Sequence, residues 1–249
     1  MIGPDTVLLA FVLFCRIGGC LMLMPGFSSS RIPVQVRLFV AVAITLALAP
    51  VLVPVLQKAL PDLSPQRQLA LLVSETMVGA LVGLMGRLFF MALQFMATAA
   101  AMFIGFGTMP GAPIEDSEPV PAFATIVTLT ATVLFFLTEQ HWEVLRALLG
   151  SYSALPVTEF IAIEFSLGKL TDALSSAFLL ALQVSSPFIV YALIINLTVG
   201  IASKLVPQIP VYFISLPFVL AGGLIMLYFT IGETLRLFVT GFMAWLAAG

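Results

Sequence analysis

Six blocks of apolar residues divide the chain: Leu8–Met24, Leu38–Leu56, Leu69–Phe106, Val120–Thr138, Ala173–Ala202 and Val211–Ile231. A helix crossing about 30 Å of hydrocarbon needs about 20 residues, and the first, second, fourth and sixth blocks are near that length. The pattern predicts an all-α, membrane-type chain of several helices. The third block is too long for one span: its 38 residues would run roughly 57 Å as a single helix. It must be a helical hairpin, two broken segments, or one helix that leaves the bilayer. Arg87 sits where a hairpin would turn, although no proline or polar cluster makes that turn. The fifth block is also overlong and carries Pro187 and Asn196, while Pro50, Pro54 and Pro217 fall in the second and sixth. Proline removes a backbone donor and kinks a helix. Long, kinked helices suit elements that pack against protein on several sides.

Composition strengthens this reading. Apolar residues make up 61% of the 249 and charged residues 9%, against about 45–50% and about 25% in a soluble domain. A net charge of −2 offers no footprint for nucleic acid. Cys15 and Cys20 fall on different helix faces and read as small packing residues. Asp5 ahead of the first block, Arg16 inside it and the absence of an A-x-A site predict that this helix is retained.

Basic residues do not orient the chain. Arg31 and Arg37 follow the first block, while Lys58 and Arg67 follow the second, on what would be the opposite side, so the positive-inside rule votes both ways. Small residues recur at helix-contact spacing: Gly79, Gly83 and Gly86, and again Ala173, Ala177 and Ala181. Such rows let helix backbones approach closely.

Candidate chemistry is sparse. His141 is the only histidine, no cluster has metal-ligand spacing, and no G-x-S-x-G or P-loop is present, so no enzyme, metal or cofactor is expected. Arg16, Glu75 and Arg87 lie within apolar blocks. They form either a buried ion pair or relay, as in a small secondary transporter, or snorkelling and polar contacts to a neighbouring subunit. The segment from Thr108 to Glu118 holds Pro110, Gly111 and Pro113 and three acids without a base, which predicts a loop facing water or a pore. Residues 139–172 form the longest polar region. Glu143 and Arg146 stand at salt-bridge spacing, Leu155-Pro156-Val157 breaks the helix, and Glu159, Glu164, Lys169 and Asp172 mark a solvated turn.

Three landmarks, read in order, resemble one family. Gly105-Phe106 leads through the Pro-Gly loop to Pro119-Val120-Pro121-Ala122-Phe123. Leu134 to His141-Trp142 follows, with Leu155-Pro156 after it. Last comes Asn196-Leu197…Gly200…Pro207-Gln208…Phe213…Pro217, the most specific of the three. This order is similar to the FliR/SctT family of type III secretion export-gate subunits, over essentially the whole chain. Family members often carry Asn-Gly or Asp-Gly where this chain has Glu139-Gln140. They often carry Asp-Pro inside the loop, where Gly111-Ala112 follows Pro110.

The resemblance implies a non-enzymatic subunit of a hetero-oligomeric pore complex with FliP and FliQ, beside FlhB and FlhA. It would pass unfolded export substrates, contact membrane lipid, and sit in the bacterial inner membrane at the flagellar basal body, part of the complex on the periplasmic side. Residues 1–138 would be FliP-like, 139–172 a polar connector and 173–249 a FliQ-like helical hairpin. The family's pore plug maps onto 105–118, with Gly105, Phe106, Gly107, Met109, Pro110 and Gly111, of which Phe106 and Met109 are the expected apolar contacts. Subunit packing is expected at Gly79, Gly83, Asn196, Gly200, Pro207, Gln208 and Pro217. The competing reading keeps a transporter with Arg16, Glu75 and Arg87 at its centre.

Overall fold

Seven α-helices, and no strands, make up the described part of the computed structural model, residues 4–29, 32–59, 64–105, 122–157 and 163–248. They are α1 (Pro4–Leu23), α2 (Val34–Ala59), α3 (Pro65–Ile104), α4 (Ala122–Leu137), α5 (Gln140–Ala154), α6 (Ile163–Leu205) and α7 (Val211–Ala248). Five of them, α1, α2, α3, α6 and α7, are long and apolar enough to cross a membrane. The pair α4 and α5, bent by 72°, would supply a sixth crossing if it acts as one span.

The third apolar block resolves as one unbroken helix. α3 runs 40 residues, about 60 Å at about 1.5 Å per residue, and Arg87 stands exposed within it at no turn. No proline follows Pro65 in this helix, so nothing removes a ladder donor. Two further boundaries differ from the hydropathy blocks. α6 starts at Ile163, so Lys169 and Asp172 belong to a helix and not to a solvated turn. α7 continues past Ile231 to Ala248, through Glu233 and Arg236, an exposed pair one turn apart with 3.8 Å between Oε1 and Nη1. Charged side chains on an exposed face end an apolar run without ending the backbone hydrogen-bond ladder. Pro50, Pro54, Pro187 and Pro217 all lie inside helices. α5 ends at Ala154, just before Leu155-Pro156, where the break was expected.

α4 and α5 are joined at Glu139, whose backbone is left-handed (φ 58°, ψ 19°). Its N–H donates to the Phe136 carbonyl and its carbonyl accepts from the Trp142 N–H. Asn, Asp and Gly tolerate this region better than Glu does.

The helices gather into two compact units that are discontinuous in sequence. The first comprises Met1–Phe89, Phe135–Ser175 and Met243–Gly249. Its most buried element is α1, where Leu9, Val12, Leu13, Ile17, Cys20 and Leu21, with Met24 just beyond the helix, line one face and are at most 3% exposed. α1 packs on α2, and Phe27 beyond it meets Phe135 and Phe136 edge-on. Gly26, with φ 86°, makes the turn out of α1. A Cβ there would lie 3.0 Å from the Phe136 ring.

The second unit comprises Phe90–Leu134 and Ser176–Phe242. Ala100, Ile104 and Phe188 form its core, with Phe123, Met226 and Leu227 packed against them. Phe90 meets Phe238 and Phe242 edge-on. On α7, Gly222 and Gly223 admit neighbours a side chain would exclude. Tyr191 reaches past Gly222 to donate its hydroxyl to the Val219 carbonyl at 2.6 Å, and Ile104 lies against Gly223.

Candidate functional site

Within the first unit, α1 and α3 touch backbone to backbone. A Cβ at Gly79 would fall on the Arg16 carbonyl, and one at Gly83 on the Cys20 carbonyl. Gly19, on α1, faces the Thr76 carbonyl in the same way, at 2.8 Å. Gly86 lies beside Met24. Gly79 and Gly83, expected at subunit packing, face the chain's own α1.

This close approach places the wholly buried charge of Arg16. Glu75 lies one turn before Gly79, so the α1 backbone at Arg16 sits within side-chain reach of it. Arg16 Nε donates to Glu75 Oε2 at 2.6 Å and Nη2 to Oε1 at 2.7 Å, a bidentate pair joining residues 59 apart. Both residues are buried, at 0% and 1% exposure. α5 completes the shell. Arg16 Nη1 donates to Ser151 Oγ at 3.2 Å and Nη2 to the Leu155 carbonyl at 3.0 Å. Ser151 in turn donates to the Leu148 carbonyl, and the guanidinium lies over the Tyr152 ring, 4.0 Å from its centroid.

The Leu155 carbonyl is available for a local reason. It follows the last residue of α5 and precedes Pro156, so the helix ladder does not continue there. The carbonyl end of a helix is also a favourable place for a cation. Four of the five guanidinium N–H groups thus have partners on α3, on α5 and at the residue that caps α5, and the cluster staples α1, α3 and α5 together.

Arg87 takes no part. It is exposed on α3, twelve residues and about 18 Å of helix from Glu75, and has no ion-pair partner among the described residues. The three-residue Arg16/Glu75/Arg87 site is therefore not assembled; only its first two members meet. Spacing gave no sign of Ser151, Tyr152 or the Leu155 carbonyl, which lie at least 135 positions from Arg16. Opposite charges in two apolar blocks signalled the pair itself.

The remaining expected site residues lie elsewhere. Gly105 ends α3 with φ 91°, its N–H bonded to the Met102 carbonyl at 3.1 Å. A Cβ there would meet Leu220 only at ordinary contact distance, so the backbone conformation, and not space, favours glycine. Phe106, Gly107, Met109, Pro110 and Gly111 lie outside the described residues.

Asn196 and Gly200 lie exposed one turn apart on α6, Pro207 and Gln208 in the link to α7, and Pro217 on α7. Asn196 Nδ2 donates to the Ala192 carbonyl, and the Tyr212 hydroxyl approaches Asn196 Oδ1 at 3.5 Å. Around these positions Leu197, Leu205, Tyr212, Phe213 and Phe218 are each more than 60% exposed. A Cβ on Gly200 would meet nothing within 4 Å.

Comparison with known proteins places this architecture. The chain is 26% identical to the flagellar biosynthetic protein FliR of Caulobacter vibrioides over 226 residues, 89% of this chain and 87% of that protein. It is 27% identical to the protein of the same name from Aquifex aeolicus, over 89% of this chain and 83% of that one. The Escherichia coli protein of that name is 26% identical over 80% and 75%. Residues 7–244 match the family described as bacterial export proteins, family 1. With that match covering nearly every helix described above, the chain belongs to the bacterial export proteins, family 1.

Proposed function

We propose that this chain is a non-enzymatic core subunit of the flagellar type III protein export gate, in the bacterial inner membrane at the flagellar basal body. It lines and closes the export pore together with FliP and FliQ, beside FlhA and FlhB. The family match and the shared name of the relatives support the flagellar assignment. The observation that carries the packing role is the exposure of α7: only 6% of the residues in its most apolar window are buried. A helix this apolar needs cover from lipid or other subunits. The exposed row Asn196, Gly200, Pro207, Gln208 and Pro217 is the surface assigned to subunit packing.

The mechanism is mechanical. Long helices line a path for unfolded substrates, and the segment 105–118 plugs it, with Phe106 and Met109 as yielding apolar contacts. Energy comes from partners such as an ATPase and from the proton motive force. The Arg16–Glu75 pair holds the helices in register and moves no proton in this scheme.

Native mass spectrometry of the C-terminally tagged chain, co-expressed with its genomic neighbours, tests the assignment. A stable assembly with two other very apolar subunits is expected. A lone monomer or homodimer, with those neighbours present and folded, overturns it. Deleting 107–117 should raise ion leakage through an assembled gate, and unchanged leakage removes the plug role.

A further inference from the structure

Three features that bend a helix fall between Pro217 and Gly223 of α7, within the second unit. Pro217 gives no N–H to the Phe213 carbonyl four residues earlier. Gly222 and Gly223 follow as a pair. Between them and the proline, Tyr191 of α6 donates its hydroxyl to the Val219 carbonyl at 2.6 Å. The Gly223 N–H, which is the ladder partner of that carbonyl, meets the same hydroxyl. Proline, small-residue pairs and a side chain set against the ladder are the usual causes of a sharp kink.

Glycine makes the fit. A Cβ on Gly222 would stand 2.7 Å from the Tyr191 hydroxyl, so a side chain there displaces it from Val219. α6 has its own proline, Pro187, one turn before Tyr191. There the freed backbone group is answered locally, because Ser186 Oγ donates to the Gln183 carbonyl at 2.9 Å. In apolar surroundings, side-chain hydroxyls are one means of satisfying the groups a proline frees. The Tyr191 hydroxyl is left for α7, in a groove otherwise lined by Pro187, Val190, Ile194 and Met226 beside Ser186.

The stretch that Tyr191 grips also seats the end of α3. Ile104 lies against Gly223, and Gly105 faces Leu216 and Leu220. We propose that the Tyr191 hydroxyl is a latch: it holds α7 in one bend at Val219–Gly223 and so keeps the part of α7 before Pro217 in place relative to α3. With the hydroxyl withdrawn, the Val219 carbonyl belongs to the Gly223 N–H alone, and α7 swings about its proline and glycines, the few positions that absorb a hinge motion. Packing alone asks only for an aromatic ring, which phenylalanine supplies; the latch needs the oxygen. The inference stands apart from the export reading, since it requires the folded chain in a bilayer and no particular cargo or partner.

Pulsed electron–electron resonance on the full chain in lipid nanodiscs tests it. Spin labels go on Phe95→Cys of α3 and Phe213→Cys of α7, both exposed positions, with Cys15 and Cys20 replaced by Ala. The chain with Tyr191 intact should give one narrow distance distribution. Tyr191→Phe should at least double its width, and Gly222→Ala, which keeps the tyrosine but crowds its hydroxyl, should do the same. Tyr212→Phe, which removes the longer 3.5 Å contact to Asn196 Oδ1 in the same hairpin, should leave the width unchanged. If Gly222→Ala fails to fold, Tyr191→Phe decides alone, because it deletes a single oxygen. An unchanged distribution in Tyr191→Phe overturns the latch. Equal broadening in Tyr212→Phe also overturns it, because the hairpin then loosens with the loss of any hydroxyl.

Discussion

Replacing Glu75 by Leu would leave the Arg16 guanidinium buried, with only Ser151, the Leu155 carbonyl and the Tyr152 ring around it. Arginine cannot shed its proton, so the charge has to be kept in an apolar surround or the helices have to part. Removing one partner of a buried pair costs about 3–5 kcal/mol, roughly a hundred- to few-thousand-fold in the folded-to-unfolded ratio. Arg16→Met should cost less, because a lone carboxylic acid can take up a proton and become neutral. The double variant Arg16→Met/Glu75→Leu strands no charge. It loses the donor to the Leu155 carbonyl, a penalty of about 1 kcal/mol, and should lie within about 2 kcal/mol of the wild type. Unfolding in mixed detergent micelles, followed by far-ultraviolet circular dichroism, measures all four proteins. A double variant as unstable as the sum of the singles would refute the staple, as would Glu75→Leu within about 1 kcal/mol of wild type. Motility separates structure from transport: the double variant should swim if the pair is only a staple, and should not if the pair carries protons.

Two further substitutions read other contacts. Gly79→Ala drives a methyl onto the Arg16 carbonyl and should cost about 1–3 kcal/mol, whereas Gly200→Ala meets open space and should gain up to about 1 kcal/mol from helix propensity; equal effects in a thermal-midpoint comparison would contradict the packing described. Glu139→Asn suits the left-handed backbone at φ 58° and should raise stability by about 0.5–1 kcal/mol, while Glu139→Val should lower it by about 1–2 kcal/mol; the same micelle titration reads both, and a stabilising valine would count against the strain.

Much of the fold was legible because it rests on local rules. Apolar blocks of bilayer length with little charge predict helices, and Leu155-Pro156 predicts where α5 stops, since proline cannot continue the ladder. Hydropathy misplaced the start of α6 and the end of α7 for an equally local reason. Lys169, Asp172, Glu233 and Arg236 interrupt an apolar run, yet leave the backbone hydrogen bonds intact.

The glycine row on α3 was visible in the sequence, but not what it faces. A gap in the side-chain surface says that something comes close, and only packing decides whether that is another subunit or the chain's own α1. The same holds for the charges. Composition put Arg16 and Glu75 in apolar surroundings, and burying a charge requires a partner. That Glu75 is the partner, that Arg87 is not, and that Ser151 and Leu155 join from α5 follow from contacts across 59 to 139 positions of chain. Local sequence determines helices, because their hydrogen bonds close over four residues. The site depends on which helix faces meet, and that is decided by close packing between distant segments.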